Sequence, residues 1–125
     1  MGHRAPLRYP LSMHPALDTL RRQAAAWSRG DLDGYLAHVH PDVVYIGGAT
    51  MLRGRDALDD HYRGRDMPGP LRLDILDATL SADHASVVLA WALGDDGPRG
   101  RALVVLTKDA VSGAWLLRQD ATLSG

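Results

Sequence analysis

Four amino acids are missing from this chain: cysteine, glutamate, phenylalanine and asparagine. Without cysteine there is no disulfide framework and no thiolate chemistry, and the redox compartment is left open, with the cytoplasm as the expectation. Without glutamate, all side-chain acidity rests on 15 aspartates, an imbalance with no physical explanation in the sequence. Basic charge is equally one-sided, with 14 Lys and Arg of which a single residue, Lys108, is lysine. The two signs nearly cancel, and a formal net charge of −1 gives no global field to draw in nucleic acid or an anionic membrane surface. No apolar run approaches the length that spans a bilayer. The opening "MGHRAPLRYPLSM" lacks the apolar stretch of a secretory signal and reads as a flexible arm of residues 1–13. One domain, residues 14–125, is expected to follow.

What is present is the balance of an ordinary globule, 46% hydrophobic and 23% charged in 125 residues. A chain of this size buries about two thirds of its unfolded surface. Leu17, Leu20, Ala24 and Trp27 recur at helical spacing, which predicts a helix over residues 15–29 with Pro15 in its first turn and Gly30 ending it. Asp31 has the place of an N-cap for a second, short helix with Leu32, Tyr35, Leu36 and Val39 on its inner face. Pro41 is expected to stop that helix. "VVYI" then reads as a strand, "GGAT" as a turn, "MLR" as a short return, and "GRDALDDHYR" as a third helix burying Ala57, Leu58, and His61 or Tyr62. From residue 71 the period changes to two, with four strands that include "ASVVLAWAL", "RALVVLTK" and "AWLLRQDATL". The short turns between them join antiparallel neighbours. Helices first and a meander after predict an α+β fold with three N-terminal helices packed on a mainly antiparallel sheet.

"GDLDGYLAHVHPDVVYIGG" is dense in Asp, His and Tyr. Its aspartates have structural places: a cap, a first helical turn near the positive dipole end, and a strand start. His38 and His40, two apart at a helix end, point to opposite sides, and no third ligand stands nearby, so no metal site is expected.

Element order and motifs together resemble the nuclear-transport-factor-2-like superfamily, above all its SnoaL-like and ketosteroid-isomerase-like members. "RGDLDGYL", "HPDVVYIGG", "RGRDALDDHY" and the terminal "GAWLLRQDATL" carry the resemblance, over roughly residues 14–124. It implies a strongly bent sheet wrapped round helices, a cone with an apolar pocket, and a homodimer through the outer sheet face. Relatives include isomerases, cyclases, dehydratases, epoxide hydrolases and non-catalytic binding domains.

Mapped onto the steroid isomerases, Tyr45 points inward two residues before their catalytic carboxylate, whose position is Gly47 here. Their oxyanion tyrosine falls near Gln23 and their protonated aspartate near Val105, so only the supporting tyrosine of the third helix has a match, Tyr62. The epoxide-hydrolase asparagine is also missing. On the last strand the resemblance turns Leu116, Arg118, Asp120 and Thr122 inward, bringing an arginine and an aspartate into an apolar cone. Unpaired, Asp120 becomes a usable acid or base; paired with Arg118, it becomes a weak one or a structural element.

The expectation is a small-molecule pocket protein without a cofactor, binding a small apolar carbonyl or hydroxyl compound; if it is an enzyme, its chemistry is acid–base isomerisation, cyclisation or dehydration. Asp120 moves the proton and Tyr45 or Tyr62 stabilises an oxyanion. Trp91, Arg118, His61 and Tyr35 contact the ligand. Trp27 and Trp115 are assigned to packing. The competing expectation is a non-catalytic ligand-binding or accessory dimerisation domain.

Overall fold

The computed structural model describes residues 14–124; the arm expected over residues 1–13 lies outside them. Helix α1, Pro15–Ser28, begins at His14, whose Nδ1 accepts the Ala16 N–H at 3.1 Å. At the other end Gly30 takes φ +73°, its N–H bonding the Trp27 carbonyl while the Asp31 N–H bonds that of Ala26. That pair of bonds is a Schellman closure and needs a left-handed residue, which is why glycine stands there. Asp31 then caps α2, Leu32–Leu36, its Oδ1 accepting the Gly34 N–H at 2.9 Å.

The second helix is shorter than its sequence implies. It ends at Leu36, and strand β1, Val39–Gly47, begins before Pro41 instead of after it. His38 therefore lies in a turn and His40 in a strand, not at a helix end, and Val39 is buried in β1. Proline is tolerated because β1 leaves its ladder there: Val39 pairs with Leu117, but pairing resumes only at Val44. Where no ladder bond is made, the missing N–H costs nothing.

Strand β2, Thr50–Arg53, returns antiparallel to β1, and α3, Arg55–Tyr62, follows. Leu58 alone in α3 is fully buried; Ala57, His61 and Tyr62 are half-buried. The four expected strands are β3, Leu71–Leu80, β4, His84–Leu93, β5, Arg99–Lys108, and β6, Trp115–Ser124. They form one six-stranded sheet in the order β2-β1-β6-β5-β4-β3, antiparallel except for the β1–β6 pair. The core lies between α1, α2 and the inner sheet face, around Leu17, Val39, Val87, Leu106 and Leu117.

Two bulges shape the curved sheet. In β3 the ladder slips between Ile75 and Asp77, leaving Leu76 as the extra residue. In β6 the extra residue is Arg118, since Leu106 faces Leu117 while Val105 faces Gln119. A bulge bends its strand and shifts the side-chain alternation by one. Trp115 and Leu117 accordingly point inward before the bulge, and Asp120 and Thr122 after it. The expected inward set is thus corrected: Asp120 and Thr122 keep their place, while Leu116 and Arg118 do not line the interior.

Among the described residues no helix is long and apolar enough to cross a membrane. Leu58 is the anchor of α3, so Leu58→Ala is expected to cost about 2–5 kcal/mol. That lowers the thermal midpoint by roughly 6 °C or more. Val111→Ala, at a side chain 96% exposed in the turn before the last strand, should leave it nearly unchanged. Differential scanning calorimetry of the two variants checks both.

Candidate functional site

A cavity of about 460 Å³ opens between the helices and the inner sheet face. Alternation on β4 brings Leu89, Trp91 and Leu93 to it, and β5 contributes Ala102 and Val104. Val105 faces away, so the neighbour that matters on this strand is Val104. From the helices come Gln23, Trp27 and Tyr35, with Tyr62 from α3. Trp27 had been assigned to packing; it packs and also lines the cavity, its Nε1 donating to the Pro68 carbonyl at 2.9 Å. Trp115 stays in the core, with His14 edge-on at 5.3 Å.

Tyr45 and Asp120 are partners in the parallel β1–β6 register and both face the cavity. The Tyr45 ring lies down over Gly47: a Cβ there would sit 2.4 Å from the Tyr45 hydroxyl and 3.1 Å from Thr122 Cγ2. Glycine at 47 is what gives the tyrosine this pose. Tyr35, Tyr62 and Trp27 form an edge-to-face cluster with ring centroids 5.1–6.2 Å apart, and Tyr45 joins it 6.4 Å from Tyr62. Such contacts hold the rings at fixed angles.

Asp120 is the only acidic group in this lining. Although the residue keeps some exposure toward the cavity, its Oδ1 is buried and has no hydrogen-bond partner. Removal from water disfavours the carboxylate and pushes its pKa up to about 7. Among the described residues no cation offsets this. Arg118, expected as a partner, is turned away by the bulge and its Nη1 donates to the Asp42 carbonyl. The ion pairs among the described residues all lie on exposed side chains and none includes Asp120.

The three tyrosines shift with it. Burial raises the pKa of Tyr35, Tyr45 and Tyr62, and the nearby Asp120 charge adds to the rise in each. The neighbouring Tyr45 and Tyr62 side chains also act on each other, lowering the first and raising the second. All three therefore remain protonated donors across the neutral range. His61 does not line the cavity; it packs outside against Tyr45, at 5.9 Å, and Tyr62, at 5.0 Å. Of the seven side chains singled out from sequence, Asp120, Tyr45, Tyr62, Tyr35 and Trp91 converge, whereas Arg118 and His61 do not.

Sequence reasoning passed over Gln23 as a cavity residue. It is 3% exposed and its Nε2 donates to the Tyr35 carbonyl at 3.4 Å. A polar residue on the apolar stripe with Leu20, Ala24 and Trp27 was the available signal. Among the described residues no group of three or more His or Asp side chains comes together as a metal site.

Three helices on a curved, mostly antiparallel six-stranded sheet define the nuclear-transport-factor-2-like class of α+β proteins, in its SnoaL-like and ketosteroid-isomerase-like branch. Residues 20–118 match the family model of the SnoaL-like domain, and the chain belongs to that family. An NTF-2-like protein of unknown function from Shewanella oneidensis superposes with a TM-score of 0.73 at 26% identity, over 90% of this chain and 98% of its own. A ketosteroid isomerase-like protein from Erwinia carotovora atroseptica gives 0.74 at 21%, over 93% and 98%. A de novo designed protein with a curved β-sheet reaches 0.69 at 14% identity, over 88% and 99%. No curated protein matches the chain.

The raised pKa makes stability depend on pH. Between the unfolded value near 4 and the folded value of about 7, the folded chain holds a proton that the unfolded chain has lost. This contribution is fully present below the unfolded pKa and lost as pH rises through the folded one, no more than about 4 kcal/mol in all. Asp120→Asn is therefore expected to melt more than ~5 °C above the wild type at about pH 8, with less than half that gap left at about pH 5. Thermal unfolding at both pH values checks this; a gap that ignores pH would contradict the burial of an unpaired carboxylate.

Proposed function

We propose that the cavity binds a small apolar carbonyl or hydroxyl compound and acts on it by cofactor-independent acid–base chemistry of the isomerase, cyclase or dehydratase kind. The observation that carries this is the bare Asp120 carboxylate, buried in an apolar cavity with no counter-charge. A structural aspartate would be expected to have a hydrogen-bonded or ionic partner. A carboxyl poised near pH 7 both takes and returns a proton in the neutral range, where general acid–base catalysis is most effective.

In this reading Asp120 removes a proton from a carbon next to the substrate carbonyl, and the electron pair moves onto the carbonyl oxygen. Tyr45 or Tyr62, held protonated by burial, donates a hydrogen bond to that oxyanion. Returning the proton to a different carbon completes an isomerisation; attack of the enolate carbon on a second carbonyl, whose oxygen then takes the proton back from Asp120, completes a cyclisation. Tyr35 and Trp91 bound the ligand, whereas Arg118 and His61 take no direct part because neither lines the cavity. Membership of the SnoaL-like family and the likeness to the ketosteroid isomerase-like protein support the reading.

A generic carbon acid tests it without knowledge of the substrate. 5-Nitrobenzisoxazole is compact and apolar; removal of its C3 proton breaks the N–O bond and releases a coloured cyanophenolate. Wild-type kcat/KM is expected to rise with pH through about 7, as the base form of Asp120 appears. Asp120→Asn should lose roughly 100-fold or more, and Tyr45→Phe or Tyr62→Phe less. Turnover unaffected by Asp120→Asn would remove the carboxylate from the chemistry. Binding of the probe without turnover would favour the non-catalytic, ligand-binding alternative.

The outer sheet face supports assembly as a homodimer. Leu103 and Leu123 are 50% and 72% exposed there, and Leu103 lies between Val88 and Ala121 on the neighbouring strands. Sedimentation is expected to give a dimer for the wild type and a monomer for Leu103→Asp, which places a charge in the middle of this face. A monomeric wild type would rule the assembly out.

A further inference from the structure

Two buried side-chain polar atoms among the described residues have no hydrogen-bond partner: Asp120 Oδ1 and Trp91 Nε1. Both residues line the same cavity. Folded proteins pair nearly all such atoms, so each bare one calls for a reason. Asp120 has one in acid–base chemistry. Trp91 does not, since leucine or phenylalanine would supply an apolar wall without a buried N–H left unpaired.

The two residues stand on the strands either side of β5. Trp91 is opposite Gly100 on the β4–β5 ladder, and Asp120 is opposite Val104 on the β5–β6 ladder. Gly100, Ala102 and Val104 are buried on one face of β5. Their small side chains keep the floor between Trp91 and Asp120 low. Gly100 admits nothing larger, because a Cβ there would stand 1.8 Å from the Leu123 carbonyl oxygen and 2.9 Å from Trp91 Cζ2. The indole thus lies over β5. Cζ2 and Nε1 flank the same ring carbon, so the N–H belongs to the edge of the indole that lies against β5.

The offset is four residues along β5 and two strand spacings across it, about 13 Å by 10 Å, so the Cα positions lie roughly 16 Å apart on a flat sheet and closer on an inward-curving one. With a hydrogen bond of about 3 Å at each end, a ligand that bridges the two atoms spans up to roughly 10 Å between its oxygens, the reach of two fused rings. Among the described residues the cavity lining contains no Lys, Arg or His. A second anionic group on the ligand would meet the Asp120 charge with no cation to balance it, so the oxygen at the Trp91 end is an uncharged acceptor.

We propose that the Trp91 N–H is a ligand anchor that selects flat, neutral molecules bearing an ether or carbonyl oxygen remote from the group that meets Asp120. The proposal rests on the pocket reading above and adds a substrate class to it. Trp91 acts as a specificity-determining donor as well as a wall.

Three naphthols test it by calorimetry: 6-methoxy-2-naphthol, its near-isostere 6-ethyl-2-naphthol, and 6-hydroxy-2-naphthoic acid. The wild type is expected to bind the methoxy compound about 5-fold more tightly than the ethyl one, the value of one net hydrogen bond. Trp91→Phe, which keeps the apolar wall, should reduce that preference below about 2-fold, the difference between the two proteins isolating the N–H contact. The naphthoic acid should bind worst. In the wild type labelled with 15N at tryptophan, the Trp91 indole resonance should move downfield with the methoxy naphthol and not with the ethyl one.

Equal affinity of the methoxy and ethyl compounds for the wild type, or a preference that survives Trp91→Phe, overturns the anchor. Tightest binding of the naphthoic acid overturns the neutral-acceptor assignment. Where Trp91→Phe fails to fold, the indole resonance decides alone, and an identical response to both ligands overturns the proposal. Failure of all three naphthols to bind overturns it too. The 5-nitrobenzisoxazole assay, which needs no far-end oxygen, then shows whether the pocket reading falls with it.

Discussion

Strand β6 carries one residue more than its neighbour β5 can pair, and the position of that extra residue organises the interior. Up to Leu117 the strand contributes core. Past Arg118 the alternation has moved by one, and the next inward side chains are Asp120 and Thr122. The same bulge turns Arg118 outward to the Asp42 carbonyl, separating the only arginine of the strand from its only carboxylate. β1 joins β6 in parallel beyond the bulge, with Tyr45 at the level of Asp120. One inserted residue thus places a carboxylate beside a tyrosine and removes its counter-ion.

An unpaired carboxylate in an apolar cavity is held against its own solvation, and the surrounding structure has to over-determine it. Edge-to-face packing of Trp27, Tyr35, Tyr45 and Tyr62 fixes one wall, and the long strands β4 and β5 fix the floor. None of these neighbours is a cation, so nothing restores the carboxylate to its ordinary pKa. The group that weakens the fold near neutral pH is the same group whose proton affinity suits chemistry near neutral pH. Two glycines complete the arrangement by what they leave out. Gly47 lets the Tyr45 ring lie down, and Gly100 lets the Trp91 indole lie over β5.

Family membership adds the frame but does not dictate the chemistry. A designed protein with a curved sheet shares the shape at 14% identity, so the fold is reachable from backbone geometry alone. Any activity resides in the few polar groups set into the apolar lining: Asp120, the tyrosines, Gln23, Thr122 and the Trp91 N–H.

Local signals in the sequence were sufficient for the element order, the Asp31 cap, the Gly30 closure and the "GGAT" turn. Each depends on residues a few positions apart, whose propensities and periodicity act before any distant contact forms. The candidate site was legible in part for the same reason: Tyr45, Tyr62, Tyr35 and Trp91 follow from alternation and helix faces taken with the resemblance. Tertiary pairing decided the rest. The bulge at Arg118 exists only because β6 pairs with β5 on one side and β1 on the other, and neither strand is near it in the chain. Pro41 sits inside β1 because the β1–β6 register opens there, an event that no rule about the residue before proline contains. Trp27 reaches the cavity because α1 crosses the strands at that height. Strict alternation carried through "WLLRQDATL" puts Arg118 beside Asp120; one residue left out of the ladder sends it to the other face, and with it goes the salt bridge that would have made this aspartate ordinary.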